Sequence, residues 1–128
     1  KTMVQQEGPG WRIARNSLKG RFSVLLGTEE WAIELTESEW NSLLPLINEL
    51  IEQHSYLKNQ LMPEESISID KECFPWWVSI EGDRDNWSLR LVLEGDSETC
   101  RGVEAYWPSP AAESMAFAMR TMWDSCID

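Results

Sequence analysis

Of the side chains that serve most often in catalysis or metal binding, this chain carries one histidine, three cysteines and 22 carboxylates. His54 lies three residues after Ile51 and three before Leu57, on an apolar stripe of helical period. That position describes a buried structural imidazole and leaves no histidine to activate a serine or cysteine. Cys73, Cys100 and Cys126 are far apart, odd in number and without C-x-x-C spacing, which fits reduced thiols and neither a disulfide framework nor a zinc site. Asp83-Arg84-Asp85-Asn86 begins like a calcium loop, but Trp87 takes the fifth position, with no glycine at the sixth and no glutamate at the twelfth. No phosphate-binding or dinucleotide glycine pattern occurs, and no pair of acids stands out for carboxylate catalysis. The residues point to no cofactor, no metal and no enzyme.

Surface recognition is the remaining chemistry, and two places suggest it. Trp76 and Trp77 are adjacent, so in a strand they face opposite ways. Trp76 goes with Val78 and Ile80 toward a core, whereas Trp77 shares its face with Ser79 and Glu81 and is a candidate contact platform. The second place is basic. Arg12, Arg15, Lys19 and Arg21 fall in the eleven residues from Trp11 to Arg21, which hold no acid. With Trp11 beside them, they form either a solvated edge or a contact for an anionic partner.

The elements that position these residues follow from periodicity. Short runs over Trp11 to Asn16, Phe22 to Leu26 and Trp31 to Thr36 read as strands. Thr36 and Glu39 make a capping box, and Trp40, Leu43, Leu44, Ile47, Leu50, Ile51, His54, Leu57 and Leu61 form the stripe of a long helix with Pro45 near its third turn. Alternation then predicts strands at Ile67 and Ile69, at Trp76 to Ile80, at Trp87 to Leu93 and from Arg101 to Trp107. Ser109 is the expected N-cap of a closing helix, with Pro110 at its first position and Ala112, Met115, Met119, Met122, Trp123 and Cys126 on its apolar stripe. Of the eight tryptophans, Trp31, Trp40, Trp76, Trp87, Trp107 and Trp123 are assigned to the core. Strands, helix, strands, helix is the order of an α+β domain: antiparallel sheet in two similar halves, about 8–62 and 63–126, each backed by a helix.

Composition bounds the partners. At 128 residues the chain suits one domain, and 42% hydrophobic content excludes disorder of the whole. A formal charge of −11 opposes binding to phosphate backbones and anionic membranes. No apolar run nears the ~18 residues that would cross a bilayer, and the start lacks a signal peptide's apolar stretch, so a cytoplasmic protein is expected.

Six ordered blocks carry a resemblance. Glu7-Gly-Pro-Gly-Trp11-Arg12, Trp31-Ala-Ile-Glu-Leu-Thr36, Leu61-Met-Pro-Glu-Glu65, Trp77-Val-Ser-Ile-Glu-Gly82, Ser88-Leu-Arg-Leu-Val-Leu93 and Glu104-Ala-Tyr-Trp107-Pro108 resemble a family of small, tryptophan-rich cyanobacterial and plastid-lineage proteins of unknown function. Pro63, Ala105 and a lengthened turn from Asp96 to Cys100 depart from that pattern. The resemblance implies a Whirly-like fold, the fold of single-stranded-nucleic-acid-binding transcriptional regulators, and assigns no residue to catalysis or binding. The expectation is a non-enzymatic protein-binding or regulatory module. Single-stranded nucleic acid is the alternative partner, disfavoured by charge, and a carboxylate-dependent enzyme comes third.

Overall fold

A computed structural model describes the backbone of residues 3–95 and 101–127 and the side chains of residues 4–95 and 101–122. The turn at 96–100 with Cys100, and the side chains of Trp123 and Cys126, lie outside the described residues. Two four-stranded antiparallel sheets, each packed against a helix, form an α+β fold. The first sheet runs in sequence order through β1 (Met3–Gly8), β2 (Trp11–Asn16), β3 (Val24–Gly27) and β4 (Ala32–Leu35), followed by helix α1 (Glu37–Lys58). The second repeats the plan with β5 (Ile67–Cys73), β6 (Trp76–Gly82), β7 (Trp87–Leu93), β8 (Val103–Trp107) and helix α2 (Ala111–Ile127).

Equivalent turns mark the two halves. Between β3 and β4, Thr28 Oγ1 accepts from the amides of Glu30 and Trp31. Between β6 and β7, Asp83 Oδ1 accepts from the amides of Asp85 and Asn86, at 2.9 Å each. A short polar side chain after a glycine thus folds each turn through its own backbone. Those two hydrogen bonds hold the Asp83 carboxyl below its ordinary range. The acid that resembles a calcium ligand is a turn cap.

The helices do not stay with their own halves. α1 packs on β5 and β6 of the second sheet as well as on β4, and α2 packs on β7 and on β1 and β2. Trp40, Leu43, Leu44, Leu46, Ile47, Leu50 and Ile51 of α1 are buried, as are Ala112, Met115, Ala116, Met119 and Met122 of α2. Each fully buried Leu or Ile contributes roughly 1.5–3 kcal/mol, so this shared core dominates stability. The inner faces of the second sheet are Ile67 and Ile69, then Trp76, Val78 and Ile80, then Trp87, Leu89, Leu91 and Leu93, then Ala105 and Trp107, as alternation requires.

Four details differ from the sequence reading. β1 carries no strand signal of its own: Val4-Gln-Gln-Glu7 is too polar for one, and the strand forms by pairing with β2 across the Pro9-Gly10 turn. α1 closes at Asn59 rather than running through Leu61, although Leu57 and Leu61 still pack on the core. α2 begins at Ala111, and the Ser109 hydroxyl bonds Glu113 Oε2 at 2.6 Å instead of capping an amide. Trp31 stands outside the core at 39% exposure, because it precedes the edge strand β4 and rests on Trp107 with ring centroids 5.2 Å apart.

Candidate functional site

The structure separates the residues of the basic segment. Trp11 has the parity of Ile13 and is buried at 7% exposure, so it is a core residue and not a surface contact. Its indole lies over Gly8, its partner in the β1–β2 register, where a Cβ would come within 2.5 Å of the ring nitrogen. Arg12 points to the opposite face, across from Glu7. Arg15 donates to Glu37 Oε1 at 2.7 Å, and Lys19 is bonded to Glu34 at 2.5 Å. Arg21 stacks on the Phe22 ring, 5.3 Å from its centroid. Arg15 and Lys19 therefore meet acids that lie 22 and 15 residues away in sequence, which neutralises two of the four cations of the segment.

Glu37 sits in the first turn of α1, where a negative charge is favoured by the helix dipole. Burial pushes its carboxyl up, but hydrogen bonds from Arg15 and from the buried Ser23 hydroxyl, with the Arg15 charge, outweigh that and hold it below its ordinary 4.5.

A different surface assembles on the outer face of the second sheet. The register sets Glu72, Trp77, Val92 and Glu104 in one row across the four strands and Asp70, Ser79, Arg90 and Tyr106 in the next. Trp77 is half-buried, and its ring N–H donates to Asp70 Oδ2 at 3.2 Å, which tethers the indole to the neighbouring strand. Arg90 is bonded to Glu104 at 2.5 Å and lies over the Tyr106 ring, 5.0 Å from its centroid. Tyr106 is 44% exposed. Ser79 belongs to this face yet is buried, being a small side chain between Asp70 and Arg90. Asp70, Glu72, Glu81 and Glu104 are all exposed, against Arg90 as the cation of the face. The arrangement is an aromatic and aliphatic centre within an acidic rim.

Arg101 is the polar residue that periodicity did not single out. Its guanidinium bonds Glu39 Oε2 at 2.5 Å and the Glu34 carbonyl, and stacks 4.7 Å over Phe22. Glu39 Oε1 meanwhile accepts from the Thr36 amide in the capping box, so one carboxylate starts α1 and fastens the second half to the first. His54 is buried at 6% exposure and donates from Nε2 to the Asp83 carbonyl at 2.9 Å, tying α1 to the β6–β7 turn. Among the described residues no three His, Cys, Asp or Glu side chains are grouped to hold a metal ion, and no helix is long and apolar enough to cross a membrane.

Comparison with known proteins adds a family. The model described as "Domain of unknown function (DUF1818)" matches residues 6–122. A crystal structure of a protein with unknown function from Prochlorococcus sp. NATL2A, described as of the DUF155 family, is similar over 94% of this chain and 98% of its own, at 44% identity and a TM-score of 0.87. No curated protein matches the chain.

Proposed function

The chain belongs to the DUF1818 family of unknown function, and on that premise we propose that it is a non-enzymatic protein-binding or regulatory module of the cytoplasm. Its contact surface is the outer face of the second sheet, and its partner is a basic protein segment. The observation that carries this reading is the row Trp77–Val92 with Tyr106 beside it, left open on a face where acids outnumber cations. Aromatic side chains held rigid by Asp70 and Arg90 offer contact area at little entropic cost, and the acidic rim with the net charge of −11 selects a cationic partner.

A second reading, single-stranded nucleic acid, draws on the same exposed aromatics and on the Whirly-like resemblance. The pairing of Arg15 with Glu37 and of Lys19 with Glu34 weighs against it, since both cations are already neutralised. The deciding experiment is capture from a cyanobacterial lysate by wild type and by Trp77→Ala, with and without nuclease. A polypeptide that survives nuclease, is released by salt and is lost with Trp77→Ala at unchanged melting temperature is the expected result. Capture that nuclease abolishes, or that Trp77→Ala leaves intact, overturns the assignment.

A further inference from the structure

A cleft of about 470 Å³ lies between the second half of α1, the β6–β7 turn and α2. Its volume is that of small-molecule sites, roughly 300–1,000 Å³. Its charge is opposite to the rest of the chain. Lys58 from the end of α1, Arg84 from the turn and Arg120 from α2 all line it, drawn from three separate elements of a protein with only eleven cations. Two acids also line it. Asp85 is exposed, and Glu113 is turned into the frame, where Oε2 accepts from the Trp87 amide at 3.2 Å and from the Ser109 hydroxyl. The other oxygen, Glu113 Oε1, is buried without a hydrogen-bond partner. Apolar surface completes the wall: Phe117 is 54% exposed, an unusual state for a phenylalanine on a packed helix, and Trp87, which packs against the His54 ring with 5.8 Å between centroids, also lines the cleft.

From this geometry we propose that the cleft binds a small organic anion with a flat apolar body. The anionic group meets Lys58, Arg84 and Arg120, and the apolar body lies against Phe117 and the edge of Trp87. The cations suit this role because the surrounding field repels anions, so a local positive wall is selective rather than general. The Arg120–Glu52 pair, 3.7 Å apart and largely exposed, is too weak to compete with a bound anion.

The test uses 8-anilinonaphthalene-1-sulfonate, an aromatic anion with one N–H, beside N-phenyl-1-naphthylamine, the same skeleton without the sulfonate, on the full chain. Saturable one-site binding of the sulfonate is expected, weakened by about tenfold or more in Arg84→Glu and in Lys58→Glu, since a lost charged contact is worth at least the tenfold step. Neither variant alters the core, and the binding of the neutral compound serves as the control for an intact cleft. Equal affinity for the neutral compound, unchanged sulfonate affinity in both variants, or no saturable binding would each overturn the proposal.

Discussion

The first sheet and the second sheet share an order of strands and differ in what they do with the side chains around their edges. Around the first, cations concentrated in the chain between Trp11 and Arg21 are dispersed: Trp11 turns inward, Arg15 and Lys19 are matched by Glu37 and Glu34, and Arg21 covers Phe22. On the second, residues far apart in the chain are gathered, as Trp77, Val92 and Tyr106 come from three strands onto one open face. A cluster in sequence is therefore poor evidence for a surface, because alternation divides it and distant acids neutralise it. A lone aromatic at a polar parity is better evidence, because strand pairing alone decides what stands beside it.

The sharpest break of that contrast lies within two adjacent residues. Trp76 is 1% exposed and donates its ring N–H to the Glu39 carbonyl, so Trp76→Ala should cost about 3–5 kcal/mol, enough to unfold much of a marginally stable domain. Trp77→Ala should cost less than half as much in the same denaturant melts. Equal damage would mean that the outer face is a second core and no platform.

An intermediate effect is expected where the halves are joined. Arg101→Ala and Glu39→Gln, measured singly and together, should show a coupling of roughly 0.5–2 kcal/mol, because the pair is mostly shielded at 28% and 18% exposure and is shared with the capping box. Additive losses would show that the ion pair is incidental to the joint.

The smallest effect concerns the neutralised cations. Because the Glu37 carboxyl titrates below its ordinary 4.5 when folded, its stabilisation is present above that value and is lost as pH falls through the lower folded one. Glu37→Gln should therefore flatten the loss of stability as pH falls below about 4.5, read as melting temperature against pH. An unchanged profile would leave Arg15 and Ser23 without the role assigned to them.

Much of the fold is written locally. Alternation places Trp76, Val78 and Ile80, and then the four inward residues of β7, on the correct face, and the Thr36–Glu39 box marks the start of α1 to the residue. β1 escapes because its strand character comes from its partner and not from its own Val4-Gln-Gln-Glu7. The candidate face is legible only at Trp77. Val92, Arg90 and Tyr106 join it through register, which no single strand discloses. The ion pairs of Arg15 and Arg101 span 22 and 62 residues, and nothing in either residue's neighbourhood announces its partner.

The crossing of the helices has its own consequence for how the chain reaches this state. α1 follows the first sheet and packs largely on the second, and the Trp107 indole donates to the Gly27 carbonyl 80 residues away. Neither half can complete its interior before the other has been made. The apolar face of α1 is covered by β5 and β6, so its burial depends on contacts between distant parts of the chain, the kind of topology in which loop closure must precede packing. The halves repeat each other in plan, yet each helix helps to cover the sheet of the other half.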